Sequence, residues 1–161
     1  MKYKPMLAYP VSDKPIDYKS VVYMQPKLDG VRCLIQAEKL PFDMGYEPVA
    51  YSRNGKEWKN INHILKELKP FFQDFPNVVL DGELYNHDFK DDFESIISMV
   101  RKTKPTDEAR VESAKYVQFH CYDVVDVSML ANNVKYENRR NFLVQNLPLV
   151  ECIKHVSTRL V

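Results

Sequence analysis

Lys27-Leu28-Asp29-Gly30-Val31-Arg32 is the stretch on which the reading of this chain turns. It lies between two strand-like segments, Val21 to Gln25 and Val31 to Ala37. Asp29-Gly30 is a hairpin-turn signature, because glycine takes positive φ without a Cβ clash. The run therefore puts a lysine on a tight turn from Pro26 to Gly30, followed closely by a carboxylate and a guanidinium. A lysine ammonium is a poor nucleophile near neutral pH, since its reference pKa is about 10.4. Beside other cations and partly desolvated, it can lose its proton and attack an electrophile. Arg32 is a permanently charged fork for a phosphate or ribose oxygen. Taken alone, the run reads first as a surface hairpin with solvated charges; the downstream sequence reverses that.

The 161 residues hold one domain's worth of material, with 45% hydrophobic and 28% charged side chains, values of a chain that buries a core. Basic and acidic residues number 23 and 22, a balance that neither requires nor excludes nucleic acid. Cys33, Cys121 and Cys152 lie far apart, with no C-x-x-C spacing and no cluster with His63, His87, His120 or His155. Neither a zinc site nor a disulfide framework is indicated, and reduced thiols fit a cytoplasmic protein. No apolar run approaches the roughly 20 residues of a membrane span, and Met1 to Pro10 lacks a secretory h-region.

Through about Lys19 the chain reads as an irregular lead-in. Val49 to Ser52 is a short strand running into Asn54-Gly55, a second hairpin signal. Asn60 is placed to cap a helix with Ile61, Ile64, Leu65, Leu68 and Phe72 on one face, kinked or ended near Pro70. Val78 to Leu80 reads as a strand entering a turn at Asp81-Gly82, with Glu83 to Tyr85 beyond. A second helix carries Phe93, Ile96, Ile97 and Val100 inward and ends at Arg101, Lys102 and Lys104. Thr103 to Lys115 reads as a polar, flexible loop, and Tyr116 to Val127 as a strand too apolar for a sheet edge. Tyr136 to Leu147 is a third helix with Phe142 and Leu143 inward and Arg139 and Arg140 largely outward. Ile153 to Val161 reads as a last strand. This order implies an α+β fold, antiparallel sheet flanked by helices.

Four places can converge on one site: the Lys27 turn, Ser52-Arg53-Asn54-Gly55-Lys56, Leu80-Asp81-Gly82-Glu83-Leu84 and Phe119-His120-Cys121-Tyr122-Asp123. They supply an amine nucleophile, two guanidiniums for phosphate, a carboxylate for a hydroxyl or Mg²⁺, and an aromatic platform for a base. Each has an ordinary structural explanation by itself; in combination those are hard to sustain.

Lys27-Leu28-Asp29-Gly30-Val31-Arg32 resembles the K-x-D-G-x-R motif of covalent nucleotidyltransferases, and Ser52-Arg53-Asn54-Gly55 the S-R-x-G element of ATP-dependent DNA ligases. Leu80-Asp81-Gly82-Glu83, Tyr122-Asp123 and the helix start Glu137-Asn138-Arg139-Arg140 continue the resemblance in register over nearly the whole chain. It implies a nucleotidyltransferase (ATP-grasp-like) adenylation domain of the small viral or bacteriophage type. In that pattern Lys27 becomes adenylated, Arg32 and Arg53 hold ribose and phosphates, Glu83 meets the ribose or the Mg²⁺, and Tyr122 stacks on adenine. Gln25 reads the adenine amino group, Pro26 offers no N–H to the base, and Asp29 braces the turn and the arginine. Arg32, Arg53 and metal are expected to push the Lys27 pKa down. Arg101, Lys102 and Lys104 are candidates for DNA phosphates, with a solvated helix end as the equal alternative.

The E-G and K-x-K elements of the family pattern, and the OB-fold domain that follows them, do not occur before Val161. The resemblance thus implies a domain incomplete at its C-terminus, with a missing C-terminal half as a partner alongside ATP and nicked duplex DNA. It implies weak self-adenylation and no sealing by residues 1–161 alone. The rival readings are an mRNA capping guanylyltransferase-like domain and a non-catalytic nucleotide- or DNA-binding module.

Overall fold

The computed structural model describes residues 3–161. Its elements are β1 (Tyr23–Met24), β2 (Val31–Lys39), β3 (Tyr46–Tyr51), α1 (Asn62–Asp74), β4 (Val78–Tyr85), α2 (Phe93–Val100), α3 (Asp107–Tyr116), β5 (Gln118–Asp126), α4 (Tyr136–Asn146), β6 (Ile153–His155) and β7 (Arg159–Leu160). Five strands form one sheet in the order β3-β2-β4-β5-β6, antiparallel throughout except for the parallel pair β5/β6. The α+β fold is as the sequence implies, with that one parallel edge added.

The two faces of this sheet have different jobs. One face sends Cys33, Ile35, Ala37, Leu80, Leu84, Phe119 and Cys121 into a core shared with Ile64, Leu68, Phe71 and Phe72 of α1. Those α1 positions recur at helical spacing, so one stripe goes under and the rest stays wet. Fully burying each large apolar side chain is worth about 1.5–3 kcal/mol. Because side chains alternate along a strand, Arg32, Asp81 and Glu83 come out on the opposite face.

Several expectations are corrected. The segments around Lys27 are not two arms of a hairpin: β1 pairs with β7 in a separate two-stranded ladder, whereas β2 lies between β3 and β4. Gly30 therefore makes no positive-φ turn. It is needed because a Cβ there would run into the Leu84 carbonyl oxygen and lie 2.7 Å from Glu83 Cγ. Asp81-Gly82 is likewise no turn. β4 runs straight through it, and the irregularity is a β-bulge against β5 between Asp81 and Gly82. Gly82 pairs with Cys121 and Asp81 with Asp123, which leaves Tyr122 as the extra residue. A bulge re-aims side chains, and here it turns Tyr122 and Asp123 toward the Asp81 face.

The span read as a flexible loop contains α3, capped by Thr106, whose Oγ1 accepts from the Ala109 N–H at 3.2 Å. Its apolar content is too low for a periodicity signal, but Thr106-Asp107-Glu108 is a sound helix start. Asn60 does not cap α1. It is buried, and its Nδ2 donates to the carbonyls of Met99 at 2.9 Å and Ala109 at 3.2 Å, tying α2 to α3. Pro70 sits inside α1, which continues to Asp74. The last strand is two, β6 and β7, in different sheets. Among the described residues no helix is long and apolar enough to cross a membrane.

Gly82→Ala is expected to cost about 2 kcal/mol or more in chemical denaturation, since its Cβ would meet the His120 carbonyl and the Phe119 ring. Gly55→Ala, in open space at φ +84°, is expected to cost only about 1 kcal/mol.

Candidate active site

Lys27 lies on the link between β1 and β2, with its side chain 88% exposed and Nζ 2.6 Å from Asp29 Oδ1. It borders a cleft of about 810 Å³, lined also by Gln25, Pro26, Arg32, Ser52, Arg53, Trp58, Glu83, Phe93, Arg101 and Tyr122. Arg53 reaches this cleft from a tight turn after β3, closed by Ser52 N–H to the Lys56 carbonyl at 2.7 Å and Gly55 N–H to the Ser52 carbonyl at 2.9 Å. Gly55 supplies the positive φ. Four separate stretches of sequence thus open on one space.

Arg32, which lines the cleft, begins a row of two ion pairs that continues away from it to Arg139 and Asp123. Arg32 Nε and Nη2 each lie 2.6 Å from an oxygen of Asp81, a bidentate fork. The Arg139 guanidinium holds Asp123 the same way at 2.7 and 2.9 Å, and donates to the Val134 carbonyl at 2.5 Å. Arg139 thus points inward, contrary to the sequence reading, because the bulge presents Asp123 to it. The Arg32 guanidinium also lies over the Tyr122 ring, 5.1 Å from its centroid. The indole N–H of Trp58 donates to the Arg32 carbonyl at 3.3 Å.

The electrostatics differ from expectation at the nucleophile. The hydrogen bond from Lys27 to Asp29, reinforced by their attraction, raises the Lys27 pKa instead of lowering it. Asp29 braces the lysine; the brace of Arg32 is Asp81. Burial pushes the Glu83 carboxyl up to about 7, against the pull of Arg32 and with repulsion from Asp81 adding to the rise. Burial raises Asp81 too, against its bond to Arg32. It also raises the Tyr122 phenol, which stays protonated across the physiological range.

Gln25 donates from Nε2 to the Tyr122 carbonyl, the Tyr136 hydroxyl and Thr158 Oγ1 at 3.1, 2.9 and 3.0 Å. Pro26 lines the cleft beside it. Of the three cations after α2, Arg101 enters the cleft, while Lys102 and Lys104 are exposed and do not line it. A more apolar cavity of about 420 Å³ lies apart from Lys27, around Tyr3, Met129 and Phe142.

Among the described residues no three His, Cys, Asp or Glu gather as a metal cage. Mg²⁺ bound with a nucleotide takes one or two carboxylates plus phosphate oxygens. Glu83, a cleft carboxyl whose pKa is raised by burial, fits that need for a positive partner.

The sequence reading gives no site role to Trp58, Tyr136 or Thr158, and none to Asp81 or Asp123 beyond their place in the motif stretches. Asp81 carried a usable signal: it stands two residues from Glu83, the same-face spacing of a strand, and was hidden by reading Asp81-Gly82 as a turn. Tyr136 and Thr158 carried none, because they meet Gln25 across 111 and 133 residues of chain.

The profile of the ATP dependent DNA ligase domain family matches residues 5–160. Among curated proteins, none matches the chain in sequence. A solved structure described as Pmar-Lig_Pre superposes with TM-score 0.67 at 22% identity, over 96% of this chain and 34% of that one. A second, Pmar-Lig_PreS3, gives TM-score 0.61 at 22% identity, over 86% and 31%. An archaeal ATP-dependent RNA ligase gives TM-score 0.50 at 20% identity, over 87% and 32%. The chain spans about a third of the length of these solved structures, and at such identities the likeness is one of fold.

Two pH-dependent outcomes follow. Asp29→Asn is expected to lower the Lys27 pKa, read as faster amine labelling of Lys27 at fixed alkaline pH. For Glu83 the folded form keeps its proton up to about 7, whereas the unfolded chain loses it near the ordinary value of 4.5. Between those values the folded state binds the extra proton, so this group's contribution makes stability fall as pH rises. Glu83→Gln is expected to flatten that slope in denaturation midpoints taken from pH 4.5 to pH 7.

Proposed function

The chain belongs to the ATP dependent DNA ligase domain family, and on that premise we propose that its cleft binds ATP and forms a covalent lysyl-AMP on Lys27. The observation that supports this most is the convergence of Lys27, Arg53, Glu83 and Tyr122, from four distant stretches, on one cleft. In this reading the adenine lies against Tyr122, with its amino group toward Gln25. Arg53 and Arg101, both facing the cleft, meet phosphate oxygens. Arg32 is committed to Asp81 through both nitrogens that reach it, so its contribution to the nucleotide is a charge and an edge presented through a fixed guanidinium.

The proposed chemistry is phosphoryl transfer, in which positioning and charge neutralisation carry the catalysis. Lys27 Nζ, once deprotonated, attacks the α-phosphorus of ATP. The Nζ–P bond forms, the bond to the bridging oxygen breaks, and pyrophosphate leaves with the electron pair. A 5′-phosphate oxygen of nicked duplex DNA then displaces Lys27 to give an adenylated DNA end. A 3′-hydroxyl finally displaces AMP, which closes the strand.

Glu83 is the residue that would hold Mg²⁺ beside the triphosphate, and the ion would supply charge neutralisation there. The ion pair with Asp29 favours the charged form of Lys27. Polyphosphate alone favours the ammonium, as Asp29 does; Lys27 would lose its proton more readily only with positive charge beside the triphosphate.

ATP over GTP follows from the amide oxygen of Gln25, an acceptor suited to an amino group. The family description supports DNA as the substrate, while an RNA ligase shares the fold.

Incubation with ATP and Mg²⁺ is expected to add the mass of one AMP to the intact chain. GTP is expected to add nothing, and Lys27→Ala is expected to abolish the adduct. An adduct at full level in Lys27→Ala would refute the assignment of the nucleophile. Absence of any adduct in a folded chain would favour a nucleotide-binding module without chemistry.

A further inference from the structure

We propose that Tyr136 and Thr158 set the choice of purine base by holding the side-chain amide of Gln25 in one orientation, an inference that rests on reading the cleft as a purine nucleotide site. Neither residue lines the cleft; both border a smaller cavity of about 260 Å³ that shares Tyr122 with it. They act through Gln25 and are positioning residues.

A glutamine amide can turn over, exchanging a two-hydrogen donor for an acceptor at nearly the same volume. Turned one way it offers the base a carbonyl oxygen, and turned the other way an NH₂. The first accepts from the 6-amino group of adenine; the second suits the 6-oxo group of guanine or hypoxanthine. A free Gln25 would read both.

In this structure the cluster behind Gln25 favours one answer, with the Tyr122 carbonyl as its fixed acceptor and the two hydroxyls, 3.3 Å apart, completing it. The Tyr122 carbonyl, 3.1 Å from Nε2, has no proton to give. The Tyr136 hydroxyl donates its single proton to that same carbonyl at 3.2 Å, so toward Gln25 it presents a lone pair. The Thr158 hydroxyl donates its proton to the Val156 carbonyl at 3.1 Å and likewise accepts from Gln25. With the hydroxyl protons on the two carbonyls, three acceptors face the amide and the nitrogen turns toward them. The oxygen is left for the ligand. A 6-oxo purine would then set a lone pair against a lone pair.

The two hydroxyls add to the Tyr122 carbonyl, which by itself can engage only one of the two amide hydrogens. Each NH₂ hydrogen needs its own acceptor for the amide to be held firmly, and the Tyr136 bond keeps the Tyr122 carbonyl in place. The three partners come from β5, the first residue of α4 and the connection between β6 and β7. The base-reading group is thereby fastened to three parts of the fold.

The test is the ratio of dissociation constants for ATP and ITP, which differ at the purine 6-position, measured on the whole chain by calorimetry. Wild type is expected to prefer ATP by about tenfold or more, the scale of discrimination by one well-placed polar group. Tyr136→Phe with Thr158→Val is expected to cut that preference several-fold while the affinity for ITP holds or improves. Thr158→Val alone, a near-isosteric change, is expected to do so in part and serves if the double variant does not fold.

Gln25→Glu supplies the second arm. A carboxylate offers an acceptor whichever way it turns, so in that background the same two substitutions are expected to leave the ratio unchanged. An unaltered ratio in the double variant that retains Gln25 would overturn the proposal. So would an equal drop in the Gln25→Glu background, which would mark the effect as loss of packing. Failure of wild type to bind either nucleotide would instead overturn the reading of the cleft, and this inference with it.

Discussion

The bidentate pair between Arg32 and Asp81 is the contact on which the rest of the site depends. It joins β2 to β4 on the face opposite the helices, with Asp81 almost wholly buried. Burial works against both charges, and the hydrogen bonds and attraction to Asp81 outweigh it at Arg32. Such pairs add little net stability compared with an apolar pair, but removing one partner strands a buried charge at a cost of about 3–5 kcal/mol. The pair therefore specifies geometry. It sets the Arg32 guanidinium over Tyr122 and within electrostatic reach of Glu83.

A second constraint, the β-bulge opposite Asp81, builds on the first. Without it, Tyr122 and Asp123 would point to opposite sides of the sheet. With it, both come to the Asp81 face, Arg139 can fasten Asp123, and α4 is pinned to β5. Gly82 makes the bulge possible because the Phe119 ring and His120 carbonyl occupy the space of a side chain. The cleft face is polar and ion-paired, while the opposite face is apolar and packed on α1. One sheet thus carries both the packed core and the candidate site.

The sequence was informative where local chemistry decides and misleading where tertiary contacts do. The four motif stretches, the helices α1, α2 and α4, and the interior position of β5 were readable from periodicity and turn residues. Both Gly30 and Gly82 were misread as turn glycines, since close approach and positive φ leave the same letter in the sequence. α3 was lost because it buries little beyond Ala109 and Ser113 and shows no apolar stripe. The inward aim of Arg139 depends on a bulge two elements away. The expected fall in the Lys27 pKa gives way to a rise because Asp29 hydrogen-bonds Nζ directly. Contacts such as Gln25 with Thr158 span most of the chain and leave no local trace.

The central claim is that one cleft holds the base at Tyr122 and the α-phosphate at Lys27. Its most direct test is a crystal structure of the chain with a non-hydrolysable ATP analogue. The account predicts the purine against Tyr122 with its amino group toward Gln25 Oε1, and the α-phosphorus within attacking reach of Lys27 Nζ. A nucleotide seated elsewhere, for example in the apolar cavity around Met129 and Phe142, or bound with its triphosphate turned away from Lys27, would contradict it.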